Sequence, residues 1–397
     1  VTTAPPDLVA EGRALLRAGD VAGARATFQR AQAEAATGDV LEGLARASYI
    51  EPDFRRAIDE WERAYAAHRD AGEHLGAIRV ARTLAYMYGT VVGDGAVMAG
   101  WLGRAQTLLG GDVESPEGGW VALNLGMFEG DRVRKHELLR EALARARRFG
   151  DVDLECITLA FLGASLVYAD RTEEGMALLD EALAAVAGGE VDDFWVAQDI
   201  FCQLFAACER AHDVTRADQW IRIGEAIAER RRLPSVSAFC RTHYGGLLTA
   251  AGRWPEADAA LTDAVRLWAL GHRALRGGAL IRLADLRVRQ GRLEEAAQLL
   301  EGLELDVDAA RPLAAIHLAN GETARAKDVL ERALEQVDPT GTAAAPLLAL
   351  LVDVDLATGL VPEAERAADR LAACAAHHTS DYLLATAALA RGRVCLA

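Results

Sequence analysis

Four residues near the middle of the chain have the chemistry of a metal or redox centre: Cys202 and Cys208, and, further on, Cys240 with His243. Thiolate and imidazole suit zinc or copper, and residues three apart share one face of a helix, so Cys240 and His243 could set two ligands side by side. Cys202 and Cys208 cannot join them as a pair. Six residues turn through about 240° on an α-helix, which sends the two thiols to different faces. None of the six cysteines, Cys156, Cys202, Cys208, Cys240, Cys374 and Cys395, lies in a CxxC, and an isolated thiol on an apolar stripe serves as a small core hydrophobe. The expectation is core thiols without disulfides, no metal and no cofactor, with Cys240 and His243 as the fallback metal candidates.

Arginine supplies the second concentration of charge, in RVRK at Arg132–Lys135, RARRFG at Arg145–Gly150 and ERRR at Glu229–Arg232. A phosphate-binding surface needs aromatic interleaving and a positive surround. Here the surround is acidic: 43 basic against 59 acidic residues give a net charge of −16, a field that repels phosphate backbones and anionic lipid. Arg145, Arg147 and Arg148 precede Gly150, and Arg230 and its neighbours precede Pro234, where cations offset the helix dipole. Both are expected to be solvated helix ends. His212 reads as a cap, and His377 and His378 as the solvated side of a loop. GxxxxGK(S/T), strand-linked GxGxxG, HExxH and GxSxG are all missing, so the chain is read as not an enzyme.

Positioning falls to helices. The sequence is 51% hydrophobic but only 6% aromatic, and alanine-rich, as closely packed helices are. At 397 residues it is too long for one compact core. No apolar run approaches the ~20 residues that span a bilayer, and the opening VTTAPPDLVAEG lacks signal-peptide order, so a cytoplasmic chain is expected.

One phrase recurs from end to end: a turn residue, an alanine about five positions on, a large apolar residue at i+4 and a small one at i+7. It is clearest in GRWPEADAALTDA (Gly252–Ala264). GDVAGARATFQRA (Gly19–Ala31), PDFRRAIDEWERA (Pro52–Ala64), DRTEEGMALLDEA (Asp170–Ala182), GRLEEAAQLLEGL (Gly291–Leu303) and GETARAKDVLERA (Gly321–Ala333) repeat it, with weaker copies from Gly93, Gly130, His212 and Gly359. The mean spacing is about 38 residues, as for helical pairs. The stripe lets a second (B) helix close on a preceding first (A) helix, and the turn glycine caps the latter. The reading is all-α, 21 helices and no strands, in one domain over 1–397. Its repeats fall at about 7–36, 37–72, 73–110, 115–150, 151–188, 192–232, 235–271, 273–304, 306–338 and 343–376, with a capping helix at 378–397.

The phrase, with Gly12, Gly163 and Gly245 seven residues before their turns, resembles the tetratricopeptide repeat, which implies a right-handed superhelical solenoid. GWLGRAQTLL (Gly100–Leu109), EEGMALLDEALAAVAGGEVDD (Glu173–Asp193), IFCQLFAACERAHDVTRADQW (Ile200–Trp220) and FCRTHYGGLLTAAGRWPEA (Phe239–Ala257) are similar to the helical-repeat sensor region of actinobacterial LuxR-type transcriptional regulators. That resemblance covers nearly the whole chain and implies an array that receives a signal and passes it to a DNA-binding unit. The family's helix-turn-helix does not occur before Ala397, nor does its ATP-binding module precede the first repeat. DNA binding is therefore expected only through a further domain, and not by this chain.

In such arrays the A helices line the concave side. Counting back from each turn points Glu42, Arg46 and Tyr49 inward, then Thr83 and Met87, then Trp120, Asn124 and Met127. Further on come Asp199, Cys202 and Glu209, then Phe239 and Thr242, then Ile281 and Asp285. Small residues between them, Ala160, Ala164, Ala206 and Gly246, leave an apolar hollow with a few hydrogen-bonding groups. The groove expected to bind comprises Arg46, Tyr49, Met87, Trp120, Asn124, Met127, Asp199, Cys202, Phe239, Thr242 and Asp285. The partner is expected to be a protein or peptide segment, or a small-molecule effector. Beside this sensor reading stand a protein-joining scaffold and, third, a thiol or metal enzyme built on Cys202, Cys240 and His243.

Overall fold

The computed structural model describes residues 7–110, 115–231, 238–269, 273–378 and 380–397. They form 21 α-helices and, among the described residues, no strand. Ten antiparallel hairpins follow one another: Leu8–Arg17 with Val21–Glu34, Gly38–Ile50 with Phe54–Asp70, His74–Tyr86 with Gly95–Leu109, Pro116–Phe128 with Arg132–Phe149, and Val152–Tyr168 with Thr172–Gly188. Then come Phe194–Ala211 with Val214–Arg231, Ala238–Ala250 with Trp254–Trp268, Arg273–Arg289 with Leu293–Leu299, Ala310–Ala319 with Thr323–Gln336, and Ala344–Ala357 with Val361–His377. Asp381–Leu396 closes the stack. No described helix is long and apolar enough to cross a membrane.

The recurring phrase explains the hairpins. The turn residue takes the left-handed conformation that ends the A helix, with φ +77° at Gly252; Asp170 (+62°) and His212 (+56°) do the same without glycine's freedom. Aspartates start many helices by accepting a backbone N–H, as Asp131 does from Arg134 (2.8 Å) and Asp151 from Leu154 (3.0 Å). On the B helices Ala24, Ala57, Ala257, Ala326 and Ala364 are wholly buried, and so are the large residues four on, Phe28, Trp61, Leu261 and Leu330. Each such side chain contributes about 1.5–3 kcal/mol by leaving water.

The partner of the large residue is a gap on the A helix. A Cβ on Gly12 would lie 2.6 Å from the Phe28 ring, and one on Gly245 2.5 Å from Leu261. On Gly163 it would meet the Gly175 carbonyl oxygen at 2.6 Å, with Leu179 at 3.0 Å. Two hairpins depart from the pattern. His74–Tyr86 runs on into a π-helical turn, Met87–Val92, and Leu293–Leu299 is only 7 residues long.

The stack coils tightly enough to touch itself. Arg46 of the second hairpin donates to Asp193 at the start of the sixth (2.6 Å), 147 residues on, and Tyr86 of the third donates to Asp199 (3.2 Å). A second closure joins the sixth hairpin's turn to the last helix. The His212 ring stacks on Tyr382 at 3.8 Å, and Thr342 donates to Asp170 at 3.2 Å. Burial pushes His212 down to about 4, so it stacks as a neutral ring. His378, expected in solvent, is buried: just past the tenth hairpin it meets Thr340, just before that hairpin, whose carbonyl accepts from its Nε2 at 2.9 Å, while His377 stays exposed.

Gly245→Ala is expected to destabilise the chain by about 1–3 kcal/mol in urea unfolding, because Leu261 must leave its rotamer. Gly163→Ala is expected to cost more, since its added methyl meets backbone.

Candidate functional site

The first closure turns the concave groove into a two-part cavity. The outer part, about 350 Å³, lies between Arg13, Arg17, Arg46, Tyr49, Asp192 and Trp195. The inner part, about 250 Å³, reaches Trp61, Tyr86, Trp120, Asn124, Met127 and Asp199. Glu42, Arg46, Arg79, Asp153, Asp193 and Trp195 border both.

The A helices of the first six hairpins supply most of the walls, and their residues hold one another. Trp195 stacks on Tyr49 with ring centroids 4.3 Å apart and planes 9° from parallel, and takes Tyr86 edge-on at 4.9 Å. Trp120 lies under the Arg82 guanidinium at 4.4 Å and donates its indole N–H to Asp151 at 2.8 Å. Arg79 donates to Glu42 at 2.6 Å, and Arg82 to Glu117 at 3.2 Å. Burial pushes the Glu42 carboxyl up, but bonds from His68 and Arg79 outweigh it and hold the group at about 2. Burial likewise opposes ionisation of Asp193, and the Arg46 charge and hydrogen bond bring it below the ordinary range. Asp199 differs. Burial raises it to about 7, and the Tyr86 bond does not compensate.

The structure thus brings Arg46, Tyr49, Trp120, Asn124, Met127 and Asp199 to one cavity, with Glu42 and Thr83 beside them. Of the other expected groove residues, Met87, Cys202 and Thr242 are interior and Phe239 is half-buried. Met87 opens the π-helical turn, whose wider winding rotates it into the core beside Trp61 and Leu84. Cys202 lies where the A helices of hairpins six and seven pack together, a contact that converts the stripe from open face to interface. Phe239 and Thr242 sit on the seventh A helix, with Thr242 covered by Trp268 of the same hairpin's B helix. Cys202 Sγ is 3.2 Å from Cys240 Sγ, Thr242 accepts from the Trp268 indole at 3.1 Å, and Phe239 packs 4.4 Å from His243. Asp285 borders a separate cleft with Arg289 and Arg311.

The fallback metal pair separates as well. Cys240 faces Cys202, whereas His243 donates from Nδ1 to Glu209 at 2.6 Å, a carboxylate that Arg282 also holds at 2.7 Å. Asp39, Glu42 and His68 do bring three ligand-type atoms within 4.8 Å of one another. Arg79 already sits there as the cation, and His68 donates to Glu42 (2.7 Å) and Glu73 (2.5 Å), so the cluster is an internal salt-bridge network. Of the arginine runs, Arg147 meets Glu155 past its helix end at 2.7 Å, but Arg132 and Lys135, together with Arg140 outside the runs, border an open cleft of about 740 Å³. Arg232 and Pro234 lie outside the described residues.

Sequence reasoning missed Trp195, Arg79, Arg82 and Tyr86. Each lies three or four residues from a position that it did place inward, Asp199 or Thr83, or next to one, so extending those stripes by one turn finds them. Asp193, an N-cap, left no periodic signal.

No protein-family model matches the sequence, and no curated protein matches it. Among solved structures it is similar to a tetratricopeptide repeat protein from Parabacteroides merdae, at 16% identity and TM-score 0.42 over 69% of this chain and 99% of that one. It is also similar to a chain of the APC/C hetero-tetramer Cut9–Hcn1, at 12% identity and TM-score 0.48 over 99% of this chain and 84% of that one. The helical-hairpin solenoid stands on the packing described above.

Between pH about 4 and about 7 Asp199 is protonated in the folded chain and ionised in the unfolded one, so folding takes up a proton and stability falls as pH rises through that window. Asp199→Asn is expected to remove this slope and to be more stable than the parent by about 2 kcal/mol at pH 8, the difference vanishing near pH 4, in denaturant titrations.

Proposed function

We propose that the chain is a non-catalytic binding array that takes a partner segment or small effector in its concave cavity, as the sensing part of a transcriptional regulator. One observation carries the binding half. The Arg46–Asp193 and Tyr49–Trp195 contacts close a cavity with polar, aromatic and apolar walls, a composition that suits a specific ligand. Because two distant hairpins must meet to make it, an occupant that bridges them biases how tightly the stack coils. The regulator half rests on the sequence stretches from Gly100 to Ala257 and on no feature of the cavity. With a net charge of −16, the chain is assigned no nucleic-acid contact of its own.

A thermal-shift screen against metabolites, including acyl-CoA-like compounds, is expected to find saturable stabilisation, about 2.7 kcal/mol at a hundred times Kd. Arg46→Ala and Trp195→Ala are expected to abolish it. Silence across the screen would favour a protein-joining scaffold. For the enzyme reading, metal analysis of the purified chain is expected to give less than about a tenth of an equivalent.

A further inference from the structure

The inner cavity has an unbalanced charge. Three arginines border it, and each has its own carboxylate: Arg46 with Asp193 at 2.6 Å, Arg79 with Glu42 at 2.6 Å, and Arg82 with Glu117 at 3.2 Å. Three more carboxylates remain, and among the described residues no cation pairs with them. Two are used by the fold. Asp151 caps its helix and accepts from Trp120, and Asp153 accepts the backbone N–H groups of Asp192 (2.9 Å) and Asp193 (3.2 Å). The third, Asp199, is 9% exposed and has a single hydrogen-bond donor, the Tyr86 hydroxyl at 3.2 Å.

A second group points the same way. Asn124 is 4% exposed, borders the same space, and its side chain has no hydrogen bond to any described residue. The amide faces the cavity, where a bound polar group can take the hydrogen bonds that the fold leaves unused. Around these two polar groups the walls are Trp195, Tyr86, Trp120 and Met127. One carboxylate and one amide are too few oxygens for a hard metal ion, which takes six or more. Aromatic faces next to a lone carboxylate are what an organic cation uses.

We propose that the inner cavity binds an organic ammonium ion, its charge on Asp199 and Asn124 and its apolar body against Trp195, Tyr86 and Trp120. This rests on the concave-site reading and adds the sign of the ligand's charge. The two sources of such a group, a small amine and a lysine side chain of a partner, share this chemistry.

The test is calorimetric titration of the full chain at pH about 8, where Asp199 is ionised, with 2-phenylethylamine, the neutral 2-phenylethanol, the anionic phenylacetate and a blocked lysine, N-acetyl-lysine amide. The amine is expected to bind saturably and at least tenfold more tightly than the alcohol, with phenylacetate weaker still. Asp199→Asn is expected to lower amine affinity tenfold or more and to leave the alcohol unchanged. Asn124→Leu supplies an independent arm: it is expected to weaken the amine. Tighter binding of the amine than of the blocked lysine assigns a small molecule, and the reverse assigns a protein side chain. The proposal is overturned if the amine shows no saturable binding up to about 10 mM, if alcohol or phenylacetate matches it, or if Asp199→Asn leaves its affinity intact. Should the alcohol or phenylacetate bind in a manner lost with Arg46→Ala, the concave site stands and only the cation falls. If these probes and the metabolite screen are all silent, both fall.

Discussion

The interlock between a missing side chain on one helix and a large one on the next governs this molecule. Gly12 receives Phe28, and Gly245 receives Leu261, at distances that even a methyl group would violate. Protein interiors pack at crystal-like density, so such a contact fixes how closely the two helices approach and leaves little freedom in their crossing. Repeated along the chain, a fixed crossing becomes a fixed curvature. The self-contact of the stack follows from it: the second hairpin reaches the sixth because the hairpins between them turn by a set amount.

Closure changes what the concave face is. An open groove presents its charges to water, where pairs are weak and screened. Here Glu42, Asp193, Arg46 and Arg79 are brought under cover, and burial would push the carboxyls up unless the arginines matched them. The matching is complete for Glu42 and Asp193 and stops at Asp199, where desolvation wins. The contrast between Asp193 and Asp199, six residues apart on one helix start, shows that the partner across the closure, and not depth alone, sets the charge state.

Much of the fold could be read before any coordinates, because period and residue size carry it. The alanine at position 24, the phenylalanine at 28 and the glycine at 12 each announce a helix face, and a regular interval places the next. The site was legible in part. Arg46, Tyr49, Trp120 and Asp199 follow from counting turns along A helices. Met87 did not behave, since a π-helical turn inserts a residue that no amino-acid pattern announced. Cys202 failed for another reason: which stretches of an inward face stay open depends on how neighbouring A helices meet, and Thr242 is lost to Trp268 of its own hairpin. The pairing of Arg46 with Asp193 lay furthest from view, because local spacing carries no record of contacts made between successive coils of a stack.

The sixth hairpin takes part in both closures through a single element. Phe194–Ala211 begins with Trp195 and Asp199 in the cavity wall and ends at His212, against Tyr382 of the final helix. Its 18 residues span about 27 Å without a break. A rod of that kind tilts as one piece, so motion at its first turn is delivered to the carboxyl-terminal helix in one mechanical step. The four hairpins lying between them in the chain are bypassed.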